Sequence, residues 1–282
     1  PSDYFVQGGA EWFEEWFQKA VEFSDSLLCI SRATADGVIE YVASHCLDKK
    51  NLKVGYWHLG SNFQSIATTS INNDYINQLK EEEYLLVVGT IEPRKSHALI
   101  LDVFELLWKS NLDLKLCIAG KKGWLVDELI TRIQTHSEFG GRLIFIESPD
   151  DSEITELYKH TSGLIFLSQG EGFGLPLIEA AHYGVPIICS NIPVFREIAG
   201  EYATYVDLDS PEHISQEVIK WYALKNTGGL PDSKAMPKLD WEESSECLLN
   251  VIFKENWYWN NGENLNEKKS NTLYFFKRRY DC

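Results

Sequence analysis

The chain has 282 residues, of which 44% are hydrophobic and nine are tryptophan, a composition typical of a packed globular protein. Its formal net charge of −16 argues against general nucleic-acid binding, and an anionic ligand would need a local basic pocket. No apolar run reaches the roughly 20 residues of a membrane-spanning helix. No secretory signal is recognised, and because the sequence begins at Pro1 rather than Met, its start does not indicate targeting.

The first third of the chain shows few regular elements. Aromatic residues at helical spacing predict an amphipathic helix over 11–23, and the segments that follow predict a strand over 26–31 and a helix over 33–45. One strand is too little for a separate sheet, so none is expected here. The polar, Asn/Ser/Thr-rich residues 60–83 are typical of a linker.

From residue 84 onward, apolar runs alternate with helical patterns. The predicted strands are YLLVVGT (84–90), LKLCIAG (114–120), RLIFIES (142–148), GLIFLS (163–168), PIICS (186–190) and ATYVD (203–207). Continuous apolar strands joined by helices indicate a parallel sheet covered on both faces. Six such strands with right-handed crossovers predict a doubly wound α/β fold, in which ligands bind beyond the carboxyl ends of the strands.

The six cysteines show no CxxC spacing. Cys29, Cys117 and Cys189 lie in apolar runs and are predicted to be buried, reduced thiols of a cytosolic protein. Ser152 is the expected N-cap of the helix over 152–160, which follows the third strand of the sheet.

The loop GTIEPRKSH after the first strand of this sheet places two cations at the start of a helix. Arg94 and Lys95 directly precede Ser96, the expected helix cap. Cations there oppose the helix dipole by roughly 0.3–1 kcal/mol each, which is reasonable if a phosphate binds at the same place. The alternative is a solvated basic turn. No GxGxxG follows this strand and no GxxxxGK[ST] occurs anywhere, which argues against a dinucleotide oxidoreductase and a P-loop NTPase.

The stretch SQGEGFGLPLIEA after the fourth strand surrounds a glycine-rich turn with two carboxylates. Gly172-Phe173-Gly174 is predicted to form the turn and the helix to begin at Leu175 or Pro176. Glu171 then lies in the loop and Glu179 about one turn inside the helix, where they can bind different parts of one elongated ligand, such as a ribose and a sugar. The alternative for Glu179 is favourable placement near the helix N-terminus.

The same stretch resembles the E-x7-E signature of retaining glycosyltransferases of family 4, which have the two-domain GT-B fold. Further segments match the family in its own order across residues 84–250. These segments are VVGTIEPRK, IAGKKGW, SPDDSEITELY, GVPIICSNIPVFREIAG and DWEESSECLL.

The resemblance implies a role for each matching position. Arg94 and Lys95 would hold the diphosphate of a nucleotide-sugar donor and act in catalysis, and Glu171 would face the transferred sugar. Glu179 would accept hydrogen bonds from the ribose hydroxyls. Many relatives carry an arginine directly after the glycine of the first strand, where this chain has Thr90, so Arg94 is the expected substitute.

Further donor contacts are implied for the loops around the sheet edge. Lys121 or Lys122 is a weaker phosphate candidate, and the loop ESPDD, which contains Ser148, would border the nucleotide base. The remaining donor contacts are Gly89, Gly172, Phe173, Gly174 and Leu175.

The resemblance also predicts a division into domains. Residues 1–83 would be a partial acceptor-domain segment with a linker, residues 84–240 the donor-binding domain, and residues 241–282 a crossover helix, Trp241 to Phe253, with a polar tail. The start of the acceptor domain has no counterpart in this sequence, so we expect the 282-residue chain alone to bind donor without efficient transfer.

The function implied is transfer of a sugar, with retention, from a nucleotide diphosphate sugar to a growing glycan, such as a lipid-linked bacterial polysaccharide. Overall similarity to bacterial mannosyltransferases favours GDP-mannose, and UDP-sugars remain open. We expect no cofactor and no metal, since DLD at 207–209 has the form of a metal-binding Asp-x-Asp but is typical of a turn. The alternatives are a non-catalytic nucleotide-sugar-binding module and a sugar-nucleotide epimerase of the same fold.

The expected location is the cytoplasm, with the inner face of the cell membrane left open. The basic stretch FFKRRY at 275–280 is compatible with peripheral association with anionic lipid, but a disordered tail is the favoured interpretation.

Overall fold

The computed structural model of the chain describes residues 4–45, 49, 51–61 and 73–261. It contains two compact units, the larger formed by Pro1–Gln7 and Ser61–Lys238 and the smaller by Gly8–Gly60 and Leu239–Cys282. The helices are α1 (Gly9–Phe23), α2 (Arg32–Ser44), α3 (Asp74–Leu79), α4 (His97–Lys109), α5 (Asp127–Gln134), α6 (Asp151–His160), α7 (Leu175–Tyr183), α8 (Pro193–Ala199), α9 (Pro211–Asn226) and α10 (Trp241–Phe253). The strands are β1 (Ser26–Cys29), β2 (Lys53–Tyr56), β3 (Tyr84–Val88), β4 (Lys115–Gly120), β5 (Leu143–Glu147), β6 (Gly163–Phe166), β7 (Ile187–Ser190), β8 (Thr204–Val206) and β9 (Trp259–Asn260).

The larger unit contains a six-stranded, all-parallel sheet in the order β5-β4-β3-β6-β7-β8. The chain builds the sheet outward from β3 to β5, then returns to place β6 beside β3 and builds outward to β8. Every residue of β3 is buried, as in a strand covered on both faces. The doubly wound α/β fold is therefore confirmed, and the carboxyl ends of β3 and β6 meet where such sheets bind ligands.

The main core lies between this sheet and its helices. Helices α4 and α9 pack against each other, and Phe104, Leu107 and Trp221 belong to one buried cluster with the strands. A Cβ atom at Gly163 would lie 2.3 Å from the Trp221 ring, so the indole packs directly on the backbone of β6. Complete burial of each such side chain contributes roughly 1.5–3 kcal/mol.

One of the two predicted helix caps is wrong, and the other is confirmed only in its position. Asp150 rather than Ser152 caps α6: its carboxylate accepts from the Glu153 backbone N–H at 2.9 Å, and the Glu153 carboxylate accepts from the Asp150 N–H at 3.0 Å. Ser152 donates to Asp150 instead. Ser96 occupies the N-cap position of α4, as predicted, but its backbone is left-handed with φ of 55° and its side chain makes no capping hydrogen bond. Its hydroxyl oxygen accepts from Gln169 at 3.2 Å instead.

The smaller unit has a sheet that the sequence analysis did not expect. Strand β1 pairs in parallel with β2, and β2 pairs antiparallel with β9. The expectation of no sheet is wrong because only β1 was predicted as a strand, and the sequence analysis recognised neither the four-residue β2 nor the two-residue β9. Helix α10 has the predicted bounds, Trp241–Phe253, and belongs to this unit.

The segment predicted as a linker contains a short packed helix. In α3, Ile76 and Leu79 are buried, and Asn73 before it donates to Glu153 at the start of α6 at 2.8 Å. Residues 62–72 lie outside the described part of the chain.

The three cysteines predicted to be buried are buried and free. They are Cys29, Cys117 and Cys189. Burial raises the pKa of the Cys29 thiol to about 11, which suppresses its reactive thiolate form.

Candidate functional site

The loop between β6 and α7 holds Glu171 between two cations. Its Oε2 atom lies 2.7 Å from Nη1 of Arg94, and its Oε1 atom lies 3.8 Å from Nζ of Lys95. The buried Ser168 also donates to Oε1 at 2.9 Å. The sequence-predicted residues Arg94, Lys95 and Glu171 are thus brought together at the carboxyl edge of the sheet, with one glutamate oxygen held by Arg94 and the other by Ser168.

The guanidinium of Arg94 donates hydrogen bonds to several protein acceptors. Besides Glu171, it donates to the Glu92 carboxylate and to the Gly170 carbonyl. Burial works against the charge on Arg94, but Glu171 and Glu92 outweigh it and raise the pKa of the guanidinium. Most of the donors of Arg94 are therefore directed at protein acceptors. Sequence analysis missed Glu92, which the strand–turn–helix geometry places beside Arg94.

The ammonium of Lys95 has a different environment. Within the described part of the chain it donates no hydrogen bond; Glu171 is at 3.8 Å, and the Phe166 ring centroid is at 5.4 Å. A Cβ atom at Gly89 would lie 2.7 Å from Nζ, and Gly89 has φ of +123°. Gly89 therefore gives Lys95 the space to lie against the end of β3, with its donors available to an anion.

The glycine-rich turn lies directly before α7. Gly174 has φ of +99°, and α7 begins at Leu175 with Pro176 in its first turn, as predicted. Phe173 is buried, and Leu175 is exposed. Glycine at position 174 lets the turn approach the Phe195 ring, 3.0 Å from where a Cβ would lie. The start of α7 thus follows β6 at the carboxyl edge of the sheet, and a helix N-terminus favours anions.

Glu179 lies inside α7, as predicted, and its carboxylate accepts from the Tyr158 hydroxyl at 2.8 Å. Burial raises the pKa of the Glu179 carboxyl, whereas the Tyr158 hydrogen bond and the charge of Lys95 lower it. Sequence analysis missed Tyr158. It lies 21 residues before Glu179 on a different helix, and only the packing of α6 on α7 brings the two together.

The other predicted donor residues lie at the ends of the next two strands. Lys121, Lys122 and Ser148 are exposed, and Lys122 forms an ion pair with Asp127. The Ser148 N–H donates to the Gly120 carbonyl at 3.1 Å, and its φ is 54°. No contact between these three side chains and Glu171 or Glu179 is present among the described residues.

An N-terminal residue also reaches this loop. Tyr4 donates its hydroxyl hydrogen to the Gln169 side chain, two residues before Glu171, and accepts from the Trp124 indole at 2.7 Å through its carbonyl. The sequence carries no signal for this contact, because it joins segments more than a hundred residues apart.

Among residues 4–45, 49, 51–61 and 73–261, no cluster of three or more potential metal ligands is present. The basic stretch at 275–280 lies outside the described residues. None of the helices described has both the length and the apolar character needed to span a bilayer.

Comparison with solved structures agrees with the fold. The chain superposes on Anabaena HepE in complex with UDP and glucose with a TM-score of 0.69 and 13% identity, covering 90% of this chain and 69% of that one. It superposes on sucrose-phosphate synthase from Thermosynechococcus elongatus with a TM-score of 0.62 and 18% identity, covering 86% and 61%. These likenesses support the GT-B fold that the sequence implied.

Comparison with curated proteins and families identifies the relatives. The serotype-specific mannosyltransferase WbdA of Escherichia coli is 36% identical over 254 residues, which is 88% of this chain and 31% of WbdA. The O-antigen chain mannosyltransferase RfbU of Salmonella typhimurium is 30% identical over 172 residues, 60% of this chain and 45% of RfbU. The chain thus spans about a third of the length of the WbdA relatives that it matches.

The model of the family described as glycosyl transferases group 1 matches residues 71–232. As the ordered motifs implied, the chain belongs to the glycosyl transferases group 1 family.

Proposed function

We propose that this chain binds a nucleotide diphosphate sugar at the carboxyl edge of its six-stranded sheet and is the donor-binding part of a retaining glycosyltransferase. The observation that carries the proposal is the convergence of Glu171, Lys95 and the glycine-rich N-terminus of α7 at the ends of β3 and β6. A helix N-terminus and an ammonium group with available donors suit a diphosphate. Family membership supports the class of reaction.

In this proposal Lys95 and the amides of Gly172 to Gly174 hold the diphosphate, and Glu179 accepts from the ribose hydroxyls. Loss of the diphosphate from the sugar leaves negative charge on the leaving group, which the cation and the helix N-terminus stabilise without a metal. Arg94 contributes through Glu171, which it contacts at 2.7 Å. Ser148 and the residues around Lys121 and Lys122 border the base and the outer part of the donor.

Glu171 is proposed to face the transferred sugar. Its two oxygens are held by Arg94 and Ser168, so the carboxylate is fixed in place before the donor binds. A pre-oriented carboxylate beside the anomeric carbon would stabilise the positive charge that develops there during transfer with retention. Replacement by alanine removes this stabilisation and leaves the phosphate contacts in place.

GDP-mannose is the proposed donor and a growing O-antigen type glycan the proposed acceptor. The support is the similarity to WbdA and RfbU, which are named as mannosyltransferases. We place the protein in the cytoplasm, with peripheral association with the inner membrane face where a lipid-linked acceptor would be found. A donor-binding module without transfer, and an epimerase, are the competing functions.

A ligand panel tests the proposal, because at a given concentration a ligand that binds the folded state more tightly raises the melting temperature more. The purified chain would be heated with GDP, UDP, ADP and their sugars, and GDP and GDP-mannose are expected to raise Tm most. Stabilisation by UDP alone would indicate a UDP-sugar as the donor and would still agree with a glycosyltransferase. Binding of none of them would contradict the proposal.

The competing functions are separated by product analysis with the full-length protein. Conversion of GDP-mannose without acceptor would indicate an epimerase, and unchanged donor in the presence of a mannose oligosaccharide would indicate a binding module. Glu171→Ala is the matched variant: it should abolish transfer with GDP affinity nearly unchanged. An equal loss of GDP affinity would refute the assignment of Glu171 to the sugar.

A further inference from the structure

Glu179 is the carboxylate assigned to the ribose, and its surroundings leave it with a single described hydrogen-bond donor. Tyr158 donates to Oε2 at 2.8 Å, and no other donor to Glu179 is found in residues 73–261. Most of the carboxylate is buried, which penalises an ionised group that lacks partners. The Tyr158 hydroxyl therefore offsets part of the free-energy cost of burying the Glu179 carboxylate. The other carboxylate oxygen has no described donor and stays available to a ligand.

Tyr158 is itself held firmly. It is 1% exposed, and its ring stacks on Tyr183 of α7 with centroids 5.6 Å apart and an interplanar angle of 7°. The next acceptor for its hydroxyl is the Pro176 carbonyl at 3.4 Å, much farther than Glu179 at 2.8 Å. Burial, together with the nearby Glu179 charge, raises the pKa of Tyr158 well above its usual range. The phenol thus stays protonated and acts as a donor.

The pair also links two parts of the site. Tyr158 lies on α6, which begins directly after the loop assigned to the base, and Glu179 lies on α7, which begins directly after the glycine-rich turn. Helices α6 and α7 pack against each other. The hydrogen bond between them therefore fixes the Glu179 rotamer relative to both loops.

We propose that Tyr158 is a positioning residue for donor binding: its hydroxyl orients the Glu179 carboxylate so that the free oxygen accepts from the ribose hydroxyls of the nucleotide. This rests on the proposed function, which supplies the nucleoside diphosphate. Tyr158 acts through Glu179 and does not touch the ligand. The Tyr158 hydroxyl orients the carboxylate, whereas its ring provides buried packing that a phenylalanine ring would also provide.

The test measures discrimination between two ligands. GDP and 2′,3′-dideoxy-GDP differ only in the hydroxyls that Glu179 would accept from, so the ratio of their dissociation constants reports this contact. Because hydrogen bonds to charged groups are worth about tenfold or more in affinity, the unsubstituted chain should prefer GDP by about 10-fold or more. Tyr158→Phe, which keeps the ring and its stack on Tyr183, should reduce this ratio by about 3–10-fold.

A matched control removes another buried hydroxyl that lies close to Tyr158 in the structure. Tyr84 is fully buried and donates to the Leu157 carbonyl at 2.7 Å, one residue before Tyr158, but its hydroxyl does not contact Glu179. Tyr84→Phe should change the ratio little even where it lowers Tm. An equal reduction of the ratio in both variants would show that buried hydroxyls act through general packing, and would overturn the proposal.

Double substitution gives a second, independent test. Glu179→Gln should abolish most of the discrimination by itself, and adding Tyr158→Phe to it should change the ratio no further, because coupled residues are not additive. Additive effects would overturn the role of Tyr158 while leaving the role of Glu179 intact. An unchanged ratio of the two dissociation constants in Tyr158→Phe would also overturn the role of Tyr158. No binding of GDP or UDP by the unsubstituted chain would instead contradict the proposed function itself.

Discussion

At the scale of single residues, the two adjacent cations of the EPRK segment have separate surroundings. Arg94 directs its guanidinium at Glu92, Glu171 and the Gly170 carbonyl, whereas the Lys95 ammonium donates no hydrogen bond within the described residues. Both were assigned to phosphate from the sequence. The geometry supports Lys95 for that role and gives Arg94 a role in holding Glu171.

Lys95→Ala should raise the dissociation constant for GDP by about 10–100-fold, since a hydrogen bond to a charged group is worth roughly 1.5–3 kcal/mol and 1.4 kcal/mol is about tenfold. Affinity for guanosine, which has no phosphate, should change little. Isothermal titration calorimetry with both ligands measures the two effects. If both affinities fall together, Lys95 shapes the pocket and does not hold phosphate.

The site residues that belong to short sequence motifs were predicted, whereas the side chains that contact them were not. Glu171, Glu179 and Lys95 are recognisable because spacing and turn residues surround them in the chain. Tyr158 and Glu92 are ordinary residues in the sequence. They become functional candidates only because the fold places their side chains at Glu179 and Arg94, and nothing local in the chain encodes those contacts.

At the scale of elements, the strands that alternate with helices in the larger unit were predictable, whereas β2 and β9 of the smaller unit were not. The six strands of the larger sheet have apolar runs in the sequence, and β3, β6 and β7 are buried at every residue. Strand β2 and the two-residue β9 pair only because the fold brings distant segments together. Predicted strands also ran too long: β3 ends at Val88 because Gly89, with φ of +123°, turns the chain out of the sheet.

The ends of β3 and β4 are in close backbone contact, and this contact supports the site. A Cβ atom at Gly120 would lie 1.9 Å from the Gly89 carbonyl oxygen, a contact that no rearrangement of side chains relieves. Gly120→Ala should therefore displace Gly89, destabilise the larger unit by about 1–3 kcal/mol and weaken GDP binding through Lys95. Urea unfolding and GDP titration measure the two effects.

Gly37→Ala is the matched control for that substitution. Gly37 lies within α2, and nothing is within 4 Å of its added Cβ atom. Since alanine is favoured over glycine inside a helix by up to about 1 kcal/mol, this variant should be as stable as the original or slightly more so. Equal changes in unfolding free energy and GDP affinity in the two variants would refute the claim that steric contact requires glycine at position 120.

At the scale of the whole molecule, charge and burial determine how stability depends on pH. The formal net charge of −16 repels a nucleotide at long range, so the proposed binding depends on the local cations at the sheet edge. One of these cations also affects a buried group beside it. Burial, and then the charge of Lys95, lowers the pKa of His97 from 6.5 to about 4, while the Glu92 backbone acts in the opposite direction.

The sign of the resulting pH dependence follows from proton binding. Between pH 6.5 and about 4 the unfolded chain protonates His97 and the folded chain does not, so acidification favours unfolding. The full contribution of His97 is present above pH 6.5 and is lost progressively as the pH falls to about 4. Because one pKa unit corresponds to about 1.4 kcal/mol, the loss between pKa 6.5 and about 4 is roughly 3–3.5 kcal/mol.

His97→Gln should therefore flatten the fall in unfolding free energy between pH 6.5 and 4.5, even if the variant is less stable at neutral pH. Urea unfolding across this range measures the slope. His45→Gln is the control, because His45 is exposed and its loss tests the general effect of removing an imidazole. Since His97 begins α4 directly after Ser96, its burial belongs to the turn that also presents Lys95. An unchanged slope in His97→Gln would show that His97 reaches water in solution, and the turn would then be looser than the site requires.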